Sequence, residues 1–356
     1  MSVTAQKGIL GFGPQDAKES IATTFYRHKA VGIDLSPLDD VRLGTPEIGG
    51  ASMPTFPYKA GYMGAGGATL FPRLQDTLGW LLYATMGSVA TTVGDGTGDL
   101  PETGAFQHVF DPASDDSYIP WVTLRKYIPG SATADDVGET YTDAKVISSV
   151  VNLVNDGPIS MRMDFLAREY AVGDPSGWSW SNTYEDYTSI PVGAVVGGSF
   201  KVPTFSADAL PIVGASITMA NAPLDIQQEK VYGSPKLEDI TIIGRQASFD
   251  IICKWKDADL YRAILTGSTS GTGWTADPYV NDLEVIAFTP QSMPSLTDKY
   301  RLKITAEEVM WRVQGIQLAA GQSVMMRIQG VAIDNATNYL SMIVDNKTSA
   351  YSWPTP

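Results

Sequence analysis

FPRLQDTLGWLLYATMG, Phe71 to Gly87, is echoed as IICKWKDADLYRAILTG, Ile251 to Gly267, and this repetition constrains the fold more than any other feature of the 356-residue chain. Placing the two in register sets YMGAGGATL (Tyr62 to Leu70) over IIGRQASFD (Ile242 to Asp250) at a separation of 180, with Gly64 on Gly244 and Gly87 on Gly267. Upstream, VGIDLS from Val31 meets VGASIT from Val213 at 182; downstream, HVFDPAS from His108 meets IAFTPQS from Ile286 at 178. VTLRKYI from Val122 lies over YRLKITA from Tyr300, and ISMRMDF from Ile159 over VMMRIQG from Val324 at 165, which puts Arg162 on Arg327. Matches that keep their order while the offset drifts are the mark of a module written twice. The drop from 178 to 165 implies an insertion in the first copy, and PGSATADDVGETYTDA (Pro129 to Ala144) has the composition of that loop. The expected copies are residues 1–185, with an N-terminal arm, and 186–356, with a C-terminal arm.

Each copy reads as strand, long loop, strand, helix, further strands and a hairpin. In the first these are Ala30 to Leu35, Tyr58 to Leu70, a helix near Leu74 to Met86, Phe106 to Phe110, Trp121 to Ile128, Val146 to Val154 and Ile159 to Ala167. Leu74, Leu78, Leu81 and Leu82 recur at helical spacing, Pro72 sits near the start, and Gly87 can take the left-handed cap. In the second copy Asp257 offers an N-cap and Gly267 repeats the C-cap. VNLVNDGPISMRMDF alternates about Asn155-Asp156-Gly157, and GIQLAAGQSVMMRIQG about Ala320-Gly321, as paired antiparallel strands do. The predicted class is all-β with minor α: two tandem copies of a β-sandwich or half-barrel module, each with one flanking helix.

Composition narrows function by exclusion. Twenty-five basic against 39 acidic residues give a net charge of −14, a poor basis for gripping nucleic acid through its phosphates. The halves differ, 22 acidic and 12 basic residues in the first against 17 and 13 in the second. A lone cysteine, Cys253, allows neither an intrachain disulfide nor a cysteine zinc cluster. The first twenty residues lack a signal-peptide pattern, and no window approaches eighteen apolar residues, so a soluble chain without an export signal is expected.

No catalytic, cofactor-binding or metal-ligating residue is assigned, no cofactor is expected, and the chain reads as a non-enzyme. Its two histidines are His28 and His108, and His108 falls on Ile286 in the repeat. GILGFGPQD follows no strand and is broken by Pro14, so it reads as a flexible arm rather than a phosphate loop. DGTGD (Asp95 to Asp99), Asp115-Asp116 and Asp135-Asp136 lack the spacing of a calcium loop and read as solvated turns. No spacing singles out a carboxylate pair for glycoside hydrolysis. The cluster Trp178, Trp180, Tyr184 and Tyr187 has no convergent polar groups and reads as glue between domains or subunits.

GFGPQDAK, AVGIDLSPLDDVRLGTPEIGG, YKAGYMGAGGATLFPRL and DTLGWLLYATMG together resemble the tail tube proteins of long-tailed, non-contractile bacteriophages over about the first ninety residues. The resemblance implies a β-sandwich with a flanking helix, subunits in rings, and inner strands closing into one barrel around a DNA channel. A doubled module would give a pseudo-sixfold ring from three copies. It implies partners too: the chain itself within and between rings, tape measure protein, and tail terminator and distal tail proteins. Double-stranded DNA would pass without specific binding, and no membrane is involved. The place would be the virion tail, after synthesis in the host cytoplasm. Open sheet edges that join around a ring suit this reading, as does an acidic channel. The hairpins Val146 to Ala167 and Val309 to Ile333 are the candidate lumen strands. The loops Val41 to Lys59 and Pro223 to Asp239 are candidate arms to the adjacent ring, and the tail TSAYSWPTP is a candidate to cross to a neighbour. Alternatives are a capsid decoration or other virion shell protein, or a carbohydrate-binding module using Trp178, Trp180 and Trp274.

Overall fold

The structure is a computed structural model; it describes residues 7–46, 48, 50, 53–54, 56–75, 77–114, 118–154, 157–181, 199–201, 210–256, 258–334 and 339–353. In chain order its elements are β1 (Ile9–Pro14), β2 (Tyr26–His28), β3 (Ala30–Ile33), β4 (Ser36–Leu43), β5 (Pro57–Leu70), α1 (Leu78–Met86), β6 (Ala90–Val93), β7 (Phe106–Phe110), β8 (Val122–Ile128), β9 (Val137–Val154) and β10 (Ser160–Gly173). Then follow β11 (Ser199–Lys201), β12 (Ile212–Pro223), β13 (Ile242–Lys254), α2 (Asp259–Thr266), β14 (Tyr279–Ser292), β15 (Lys299–Gln317), β16 (Met325–Ala332) and β17 (Ser341–Asn346). The protein is all-β with minor α, as its alternation and turn composition predict.

All strands belong to one hydrogen-bonded network, and two runs within it follow the same pairing order. The first is β1, β8, β9, β10, β5, with β3 and β4 both on the far side of β5; the second is β11, β14, β15, β16, β13, β12. Registers repeat as well. Met161 faces Leu70 and Val151, while Met326 faces Cys253 and Ile316; Leu38 faces Met63 as Ala220 faces Gln246. Arg162 and Arg327 therefore take the same place. By the ladders, however, Leu70 corresponds to Cys253 and not to Asp250. β8 corresponds to β14 and not to the start of β15, so His108 is not the counterpart of Ile286. Composition matched these strings; hydrogen bonding sets the register.

Both helices pack on the matching strands β9 and β15, but α1 also meets β7 whereas α2 meets β14. Both end on left-handed glycines, Gly87 (φ 91°) and Gly267 (φ 75°), as expected. α1 begins at Leu78, four residues later than the leucine spacing suggests, and its cap residue is Thr77; the cap of α2 is Ala258, and Asp257 lies outside the described residues. Their surroundings differ. α2 buries Leu260, Ala263 and Ile264 and leaves Arg262 exposed, whereas α1 is buried on nearly every side. The C-terminal residues cover it: Trp80 stacks on Tyr26 and meets Tyr351 edge-on, Trp353 lies against Tyr83, and a methyl group on Gly79 would collide with the Tyr351 ring. Each buried leucine of α1 contributes about 2 kcal/mol by leaving water.

Three expectations are corrected here. GILGFGPQD is not a flexible arm: Ile9–Pro14 pairs with both β2 and β8, and Leu10 and Phe12 are buried. The tail folds back through Tyr351 and Trp353, where the Trp353 indole donates to the Gln15 carbonyl at 3.2 Å, and does not leave for a neighbour. Residues 137–144 are strand, not loop, because VGETYTDA alternates and its polar side chains find buried partners: the Tyr141 hydroxyl donates to Glu139 at 2.6 Å.

One core cluster runs through both halves of the chain, from Phe12 and Leu81 to Phe249, Trp311 and Val344.

Candidate assembly interface

Among the described residues the two runs pair directly at one seam, and β7 of the first half also pairs with β17 of the second, from Phe106 opposite Asn346 to Phe110 opposite Met342. β12 pairs antiparallel with the last part of β9, from Gly214 opposite Val154 to Ala220 opposite Ser148. Val151, Leu153, Ala215, Ile217 and Met219 point into the core, while Ser148, Asn152, Ser216 and Thr218 line the opposite, polar face. The alternation built into both strands lets the seam continue one sheet without a break.

The polar face carries arginines that are held by carboxylates. An Arg162 Nη2 donates to Asp34 at 2.9 Å and forms an ion pair with Asp164 at 2.7 Å. Arg327, in the same ladder place, donates from Nε to Asp250 at 2.8 Å and makes a second bond from Nη2. Hydrogen bonds and charge from Arg327 hold Asp250 below the usual carboxylate range. Burial pushes Asp34 upward, but bonds from Arg162 and the Gly67 amide outweigh it and leave its pKa lowered.

The counterparts of the seam strands are open. Among the described residues β3 and β4 pair only with β5, and residues 312–317 of β15 pair only with β16. In the repeated ladder these are the places of β12 and of the last part of β9.

The two candidate arms differ. Residues 223–239 do not project: with Ile240 and Ile242 they fold back over the first half, where Ile226, Leu237, Ile240 and Ile242 pack with Ile119, Trp121 and Leu166. The Arg168 Nε donates to the Leu237 carbonyl and the Lys145 Nζ to the Ile240 carbonyl, each at 2.9 Å, and the Tyr62 amide donates to the Pro235 carbonyl. Of residues 41–59, Val41 to Leu43 and Pro57 to Lys59 extend the β4–β5 ladder, with Val41, Leu43, Phe56 and Tyr58 exposed.

Other residues singled out by sequence do not converge. His28 is buried against Phe12, its Nε2 is unbonded, and burial pushes its pKa down to about 3. His108 is bonded instead to Thr91, Asn346 and the Thr348 carbonyl, and burial lowers its pKa as well. Asp95 closes a turn on Thr97, Asp99 bonds Arg301 and Lys303, Asp135 accepts from Ser131, and Asp136 from Tyr127. Trp178 and Trp180 meet edge to face and pack on the first half, with Arg125 over the Trp178 ring; Tyr184, Tyr187 and Asp115-Asp116 lie outside the described residues. Trp274 is exposed. Among the described residues no three His, Cys, Asp or Glu side chains gather as a metal site would need, and no helix is long and apolar enough to cross a membrane.

An all-β subunit whose sheet is continuous within the chain and open at two matching edges is built to continue in further copies. The family model described as phage tail tube protein matches residues 41–289, and the chain belongs to that family. It is a structural protein of the virion tail that assembles with itself into the tail tube. No curated protein matches the chain.

Proposed function

We propose that the chain is the tube subunit of a long-tailed, non-contractile phage, and that it is two tandem tube modules, residues 1–185 and 186–356. Three copies close head to tail into a ring of six modules, and rings stack into the conduit for the genome. The observation that carries this reading is the β9–β12 seam, because it joins one run to the next with edges that recur, open, at the two ends of the pair. Repeating the seam between copies sets residues 32–38 of one chain against 312–319 of the next and closes every inner edge. The polar face then lines the lumen, with Arg162 and Arg327 already paired to carboxylates and Arg312 bonded to the neutral Gln329, so little of its positive charge is left for a passing duplex. The tape measure, terminator and distal tail proteins are the further partners of such a tube. A test is to place lysines on the open edge, Val31→Lys with Leu38→Lys. The variant should fold and remain a single chain by analytical ultracentrifugation where the parent assembles; assembly indistinguishable from the parent would refute the edge-to-edge ring.

A further inference from the structure

Each half of the sheet has a lower region, below the polar face, that its own side chains do not cover. In the first half the chain covers this region itself. Trp121, Lys145, Leu166 and Arg168 lie there under residues 223–242, whose carbonyls accept from Lys145 and Arg168. Lys230 adds an ion pair to Asp40 at 3.0 Å and Lys236 one to Glu169 at 3.2 Å, so the cover joins an apolar cluster to polar bonds with the charged groups of the face.

The ladders identify the same region in the second half. Lys145 pairs with Leu166 as Met310 pairs with Val331, and continuing the registers sets Val280 in the place of Trp121 and Ile333 in that of Arg168. Among the described residues no segment lies over it as residues 223–242 lie over the first half. Val280, Met310 and Ile333 are 36–39 % exposed, and both cations have become apolar. A polar strap like residues 223–242 would leave its carbonyls unbonded there.

The counterpart of that strap in the first half is the β4–β5 extension within 41–59, whose described apolar side chains belong to neither buried cluster. Its chemistry has changed in the matching direction: Val41, Leu43 and Phe56 are 50–65 % exposed, and Met53 and Tyr58 are exposed beside them. Apolar cover and apolar face are thus present in one chain on ladders that do not pair with each other.

We infer that the hairpin of residues 41–59 from one copy docks on the Val280–Met310–Val331–Ile333 face of the next copy, as residues 223–242 dock on the first half inside the chain. This rests on the ring proposed above, since the same head-to-tail step that repeats the β9–β12 seam carries the hairpin onto that face. The arm belongs to the lateral contact within a ring. It closes each joint on its outer part while the strand edges close the inner part.

The test uses the full chain with one cysteine on each side, Leu43→Cys or Phe56→Cys combined with Met310→Cys or Ile333→Cys, all at exposed positions. The native Cys253 is buried, and burial pushes its thiol up to about 11, so it stays unreactive. A short bis-maleimide added to assembled protein should give covalent chains of two and three copies on a denaturing gel, and neither single variant should. Rings visible by microscopy with no cross-link from any of the four pairs would overturn the docking and leave the ring intact; absence of rings from the parent would remove both. As a second arm, Met310→Glu with Ile333→Glu should keep the parent's circular dichroism and lose assembly at least tenfold in threshold concentration. Unchanged assembly by that folded variant would also overturn the docking.

Discussion

Arg168 and Asp143 form an ion pair with essentially no exposed side-chain surface, joining β10 to β9 beneath the N-terminal segment. Asp143 also accepts from the Gln15 amide side chain and from the Glu19 backbone amide at 2.7 Å, and Arg168 reaches Glu19 at 3.3 Å. Removing one partner leaves the other charged and dry. Arg168→Ala should therefore cost about 3–5 kcal/mol of stability, measured as a lower urea midpoint at unchanged slope. A loss under 1 kcal/mol would mean water reaches Asp143.

His28 gives a pH dependence of known sign. Its folded pKa, about 3, lies below the ordinary 6.5, so its contribution is complete above 6.5 and is lost as pH falls through that value. Between pH 7 and 5 the parent should lose about 2 kcal/mol more stability than His28→Phe, which fills the same place beside Phe12 without titrating. Equal losses in denaturant titrations at the two pH values would show that His28 is protonated in the fold.

Trp353 closes the C-terminal residues over α1, bonded to Gln15 and packed on Trp80, Tyr83 and Phe12. Trp353→Ala should destabilise by about 3–5 kcal/mol, again read from the urea midpoint. Because one core runs through both halves, parent and variant should each unfold in a single transition; two separated transitions would mean that the halves fold independently.

Asp250→Asn would free Arg327, which is half-exposed on the polar face. Tubes of this variant should retain double-stranded DNA at low salt and release it as salt rises, with sedimentation of a labelled fragment as the measurement. Retention by neither variant nor parent would place Arg327 outside the lumen.

Much of this was legible in the residues themselves. The leucines of α1, the glycine caps at Gly87 and Gly267, and the alternation of Ser160–Gly173 declare their elements locally. β4 was hidden because SPLDDVRL is an edge strand whose charges sit in solvent or in pairs, Asp40 with Arg42 and Lys230. The first part of β9 was hidden because its polar residues look like loop until Glu139, Asp143 and Lys145 are seen with their buried partners. The seam was illegible, since nothing in GASITMA names Ser148–Val154 as its partner; pairing across some sixty residues is decided by tertiary structure. String matching set His108 on Ile286 and β8 on the start of β15, whereas the pairing order matches β8 to β14; Leu70 and Cys253 share no chemistry beyond being apolar, and only the ladders bring them to one place.

The central claim is that the joint inside the chain repeats between chains. Electron cryomicroscopy of the assembled protein tests it directly. The expected result is hollow rings of sixfold appearance and true threefold symmetry, with residues 32–38 of one chain hydrogen-bonded beside 312–319 of the next and Arg162 and Arg327 facing the lumen. Rings in which those two edges lie apart, or a tube whose lumen is lined by the face bearing Met161 and Met326, would contradict it.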